Sequence, residues 1–66
     1  MELIQMLKIK YYQGDNTMNV NATELKRLNY LLGQGYFEEI KPSPQFNDGT
    51  YDVLFVPNQK TQELFK

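Results

Sequence analysis

The chain is 66 residues long, with seven basic and eight acidic residues giving a net charge of −1, and it contains no cysteine, histidine or tryptophan. A chain of this length builds one domain around one small core, and its 41% apolar content is ordinary for a protein that folds in water. The missing thiols and imidazoles remove disulfide staples, the commonest zinc ligands and the commonest general base, which excludes most metalloenzyme and triad chemistry.

The longest apolar run, Val53 to Val56, is far short of the roughly 20 residues a bilayer span needs, and no charged-then-apolar signal region opens the chain. A cytoplasmic protein with no membrane partner is therefore expected. Asn21-Ala22-Thr23 fits the N-glycosylation pattern, but the same residues are better used as a helix start. The abundance of Lys, Asn, Ile, Tyr and Phe, with one Ala and one Arg, follows AT-rich codons and points to an AT-rich genome such as that of a low-GC bacterium or its phage.

From Leu3 to Tyr12, apolar Leu3, Leu7, Ile9 and Tyr11 alternate with Lys8, Lys10 and Tyr12, a period-2 pattern that predicts a half-buried strand. Gln13-Gly14-Asp15-Asn16 then predicts a turn, and Thr17 to Val20 a short return strand closing a hairpin. Asn21 followed three residues later by Glu24, with Val20 and Leu25 placed as a hydrophobic staple, predicts a capped helix start. The helix runs from Ala22 to about Gly33, where Gly33 or Gly35 ends it. Ala22, Leu25, Leu28, Leu31 and Leu32 fall on one half of its surface and are expected to be buried; Thr23, Lys26, Arg27, Tyr30 and Gln34 occupy the other.

Tyr36 to Lys41 predicts a third strand stopped by Pro42-Ser43-Pro44, and Asn47-Asp48-Gly49 a tight turn into a fourth strand from Thr50 to Val56. After Pro57, Asn58 is placed to cap a short helical turn carrying Leu64 and Phe65. The expected fold is α+β: a small antiparallel sheet in the order β-β-α-β-β, one amphipathic helix on one face, and a short C-terminal helical turn.

Few residues could carry chemistry. Gly33-Gln34-Gly35 resembles part of a phosphate loop but follows a helix, whose carboxyl end repels phosphate, so it reads as a helix terminus. Glu38 and Glu39 are adjacent and point to opposite faces of a strand; with Asp48 and Asp52 they lack any metal-ligand spacing. Ser43, the one serine, sits between prolines with no histidine to activate it. No catalytic residue, metal or cofactor is expected.

Surfaces are more informative. Thr23, Lys26, Arg27, Tyr30 and Gln34 share the outward helix face, where lysine and arginine contact phosphates, arginine and glutamine read base edges, and tyrosine stacks or bonds to phosphate. A merely solvated helix face is the plain alternative. Nine Phe and Tyr residues exceed what so small a core accommodates, so some are expected on the surface, Tyr12 among them, where aromatics mark interfaces. The expected partner-binding residues are Lys26, Arg27, Tyr30, Gln34 and Tyr12. Because Ile4, Met6 and Tyr12 would lie on the sheet face opposite Leu7, Ile9 and Tyr11, a second subunit is expected to cover that face as a homodimer.

The stretch from Leu25 to Pro57, with Leu28, Leu31, Leu32, Gly35-Tyr36-Phe37, Ile40, Asn47-Asp48-Gly49, Tyr51 and Val53, looks like the final helix and wing of a winged-helix domain. The resemblance covers about half of the chain and lacks the two helices such a domain places upstream; it implies a DNA-binding regulator using the outward helix face. Against it, residues 36–66 carry three lysines and five acids, where a wing would meet phosphate. The leading expectation is a non-catalytic interaction protein, a phage-like or mobile-element factor that inhibits or modulates a host protein. The DNA-binding regulator is second, and an oligomer that sequesters a small nucleotide-like ligand third.

Overall fold

The computed structural model describes residues 3–66. Three helices, α1 (Leu3–Tyr12), α2 (Ala22–Gly33) and α3 (Gln59–Leu64), alternate with three strands, β1 (Thr17–Val20), β2 (Phe37–Pro42) and β3 (Tyr51–Pro57), in the order α1-β1-α2-β2-β3-α3. The sheet is antiparallel with strand order β1-β3-β2, so the last strand fills the centre. Met18 pairs with Val53 and Val20 with Tyr51 on one side of β3; on the other, Ile40 pairs with Phe55 and Lys41 with Leu54, with a bulge between Phe37 and Glu39.

The expected class holds, α+β with a small antiparallel sheet, but the first element does not. Leu3 to Tyr12 is a helix, so the sheet has three strands where four were expected, and Thr17 to Val20 pairs with β3 instead of closing a hairpin on its upstream neighbour. Leu3, Leu7 and Tyr11 lie at i, i+4 and i+8, one face of a helix as well as alternate positions of a strand, and Leu3 and Leu7 are buried while Ile9 is 42% exposed. Gln13-Gly14 ends this helix instead of turning a hairpin. Gly14 takes φ 78°, the Gly14 N–H donates to Tyr11 O (3.0 Å), and the Asp15 N–H donates to Lys10 O (3.0 Å), a Schellman closure.

All three helices lie on one side of the sheet. Met18 and Val20, Val53 and Phe55, and Phe37 and Ile40 turn from the three strands toward Leu3 and Leu7 of α1, Leu28 of α2 and Phe65 just beyond α3. Phe55 and Phe37 meet edge to face at 6.3 Å between ring centroids. The opposite sheet face is polar. Asn19 donates to Thr50 Oγ1 (3.0 Å) and Asp52 Oδ1 (3.2 Å), and Lys41 pairs with Glu39 at 3.7 Å, with Leu54 and Val56 as its apolar members. The argument for a homodimer across a second apolar sheet face therefore fails, because Ile4, Met6 and Tyr12 belong to a helix and the open face needs no cover.

The sheet edges are blunted. Phe55 donates from its N–H to Asn16 O (2.9 Å), so Thr17 and Asn19 direct their main-chain groups away from β3, toward the open edge. Asp15 Oδ1 takes the Thr17 N–H (3.0 Å) and Glu24 Oε1 takes the Asn21 N–H (2.9 Å), while Pro42 has no N–H to offer on the β2 side. No described helix is long and apolar enough to cross a membrane.

Candidate interaction surface

Helix α2 is fastened at both ends. Asn21 Oδ1 accepts from the Glu24 N–H (2.8 Å) while Glu24 Oε1 accepts from the Asn21 N–H, the reciprocal capping box the sequence indicates. At the other end Gly35 adopts φ 85°, its N–H bonds Leu32 O (3.0 Å) and the Tyr36 N–H bonds Leu31 O (3.0 Å), the closure already seen on α1. Helix α3 then reaches back: Lys60 Nζ donates to Gln34 O (2.9 Å) and Asn58 Nδ2 to Gly35 O (2.7 Å). A cation at the carboxyl end of a helix complements its dipole, and Lys60 also lies 4.4 Å from the centre of the Tyr36 ring.

Leu28, fully buried, pins α2 to the core, with Leu25, Leu31 and Leu32 half-buried beside it; Ala22, expected in this stripe, is exposed at the first turn. Thr23, Lys26, Arg27 and Tyr30 are exposed on the outer face and Gln34 at the cap, with Tyr30 66% exposed. Four of the five expected partner-binding residues are thus brought together by one helix. Tyr12, 65% exposed, belongs to the end of α1 instead. Its ring lies 5.6 Å from that of Tyr11, which packs on Phe65 at 5.7 Å and accepts a hydrogen bond on its hydroxyl from Gln62 Nε2 (3.1 Å).

Of the nine aromatics, Tyr12, Tyr30 and Phe46 are the exposed ones. Phe46 was missed by sequence reasoning, although an aromatic inside the turn cluster Pro44-Gln45-Phe46-Asn47 is itself a signal. It sits on the β2–β3 connection, whose backbone is tied at several points: the Phe46 N–H donates to Thr50 O (2.8 Å), the Gly49 N–H to Phe46 O (2.9 Å) and the Ser43 N–H to Asp52 O (2.7 Å), while the Asp52 N–H of β3 donates to Ser43 Oγ (3.0 Å). Asp48 Oδ1 accepts from the Thr50 hydroxyl (2.6 Å) and N–H (3.0 Å), which holds its carboxyl below the usual range. Asp15 is lowered in the same way, by the Thr17 N–H and hydroxyl and then by Lys10 at 3.3 Å. Ser43 is likewise bonded within the connection, Glu39 pairs with Lys41 and Asp52 Oδ1 accepts from Asn19 across the strands.

Charge is sorted between the layers. Lys8 and Lys10 on α1, Lys26 and Arg27 on α2, and Lys60 and Lys66 on and just after α3 face three acids among the described residues of that layer, Asp15 just after α1, Glu24 and Glu63. From β2 through β3 the balance reverses, with Glu38, Glu39, Asp48 and Asp52 against Lys41. Besides a shallow hollow of about 320 Å³ at Gln59, Lys60 and Glu63 of α3, two grooves with apolar lining open on the helical side. One of about 290 Å³ lies between α1 and the end of the chain, with Ile4, Leu64 and Phe65 beside Lys8 and Lys66; the other, about 240 Å³, is formed by Met6, Ile9, Lys10 and Met18. Neither of these two reaches the roughly 300 Å³ at which small-molecule sites begin, and the hollow on α3, which does, is lined by the polar side chains of Gln59, Lys60 and Glu63 without the apolar wall such sites have. No family model, no curated protein and no solved structure matches this chain.

Proposed function

We propose that the chain is a small non-catalytic interaction module that lays the outer face of α2 on a partner protein and thereby inhibits or modulates it, as a phage-like or mobile-element factor acts on a host protein. The observation that carries this reading is Tyr30, two-thirds exposed on a helix whose two ends are both fastened. A helix fixed before binding loses little freedom on docking, and tyrosine and arginine are the residues most enriched at energetic centres of interfaces. Lys26 and Arg27 beside it favour an acidic partner surface. The test is capture on immobilised protein with and without nuclease: retention of a defined protein, abolished by Tyr30→Ala and indifferent to nuclease, supports it.

One observation favours a second reading, the DNA-binding regulator. Four of the five acids of residues 36–66 that oppose phosphate binding lie on the β2–β3 hairpin and the fifth, Glu63, on α3, which leaves the helical layer with more basic than acidic residues. With Lys26, Arg27, Lys8 and Lys10 as the footprint, the slope of log affinity against log salt is at most about −3.6 per subunit, and Arg27→Ala flattens it by about one. The hairpin tip weighs against this reading, since it carries Asp48 and no cation.

A further inference from the structure

The hairpin tip and the α1 groove are chemically opposite, and neither belongs to the α2 face. The tip presents Phe46, 44% exposed, two residues before Asp48, on a loop whose main chain is tied at Phe46, Gly49 and Thr50. An aromatic side chain on such a loop enters a pocket with little ordering cost. The groove is lined by apolar Ile4, Leu64 and Phe65, by Gln5, and by two cations, Lys8 and Lys66, for whose ammonium groups the described residues provide no hydrogen bond or ion pair. Its 290 Å³ suits one inserted side chain. An apolar slot flanked by lysines accepts a phenyl ring flanked by a carboxylate, and this chain supplies both halves.

We propose that the hairpin tip of one copy docks, through Phe46 and Asp48, into the groove between α1 and the C-terminal segment of a second copy. The two surfaces differ, so the contact is heterologous: a pair leaves one tip and one groove unfilled, on opposite copies, and association runs head to tail. The area is a fraction of the 1,200 Å² or so that a stable complex buries, so the contact is weak and strengthens at low salt.

Sedimentation equilibrium of the full chain at low salt, up to about 1 mM where weak contacts populate, reads the association constant. The expected result is a mass that rises with concentration, an association constant reduced about tenfold or more by Phe46→Ala, and a comparable loss with Lys8→Glu. Phe46 is exposed and Lys8 half-buried, and matching melting curves establish that each variant is folded. Mixing the two variants distinguishes this contact from a symmetric one: Phe46→Ala retains the groove and Lys8→Glu retains the tip, so together they form a one-to-one complex that does not extend further. A monomer throughout the concentration range, association unaffected by Phe46→Ala, or the absence of a mixed complex overturns the proposal.

Discussion

Leu7 and Ile9 separate the helical reading of the first segment from the strand reading most sharply. In a strand the two residues share a face and truncating either one removes comparable packing. In α1 they lie 200° apart at about 100° per residue; Leu7 is fully buried against the sheet and Ile9 is 42% exposed. Leu7→Ala removes buried carbon and leaves a cavity, a loss of about 2 to 5 kcal/mol. Ile9→Ala removes atoms already partly in water, a loss under about 1 kcal/mol. A 66-residue domain has about 3 to 10 kcal/mol in total, so the first variant approaches complete unfolding and the second barely changes. At about 4 to 8 °C per kcal/mol for a domain this size, a 3 kcal/mol loss lowers the melting temperature by about 12 to 24 °C. Urea and thermal unfolding followed by circular dichroism give both values. Equal losses at the two positions, or a larger one at Ile9, refute the helix.

The faces of α2 are tested the same way: Leu28→Ala is expected to cost about 2 to 5 kcal/mol and Tyr30→Ala under about 0.5 kcal/mol, in the same urea titration. Asn21→Ala, which breaks the capping box, is expected to cost about 0.5 to 2 kcal/mol, and an unchanged urea midpoint contradicts the cap. Asp15 and Asp48 are held below their ordinary value of 3.8 by bonds made in the fold. Their contribution is therefore full above the unfolded pKa, near 3.8, and is lost as pH falls through the lower folded values. The urea midpoint should drop below about pH 4, with a shallower drop in a double Asp15→Asn, Asp48→Asn variant, whose side chains keep the acceptor oxygen and take up no proton.

The parts of the fold legible in the sequence are those where a local bond and the apolar pattern agree. Asn21 and Glu24 mark the start of α2 to the residue, Leu28 marks its inner face, and Asn47-Asp48-Gly49 marks the hairpin, with Gly49 at φ 86°. In α1 the signals conflict. Ile4, Ile9 and the paired tyrosines have strand character, and the apolar residues spread around the helix because the segment packs on β1, on α3 and at a groove. Gln13-Gly14 closes α1 with the bonds by which Gln34-Gly35 closes α2, so glycine after a polar residue was the available clue. Of the surface, the α2 face was readable from 100° periodicity, whereas the approach of Lys60 and Asn58 to its end depends on β3 lying at the centre of the sheet, which no short-range pattern encodes.

The central claim is that Tyr30 on α2 is the anchor of a protein contact, and binding measured with separate Tyr30→Ala and Arg27→Ala variants tests it most directly. Both are first shown to be folded, then titrated with the captured partner and with random duplex DNA across a range of salt. The account predicts that Tyr30→Ala weakens partner binding by about 2 kcal/mol or more with little dependence on salt, and that duplex binding is negligible. Strong duplex binding that disappears with Arg27→Ala and survives Tyr30→Ala contradicts it.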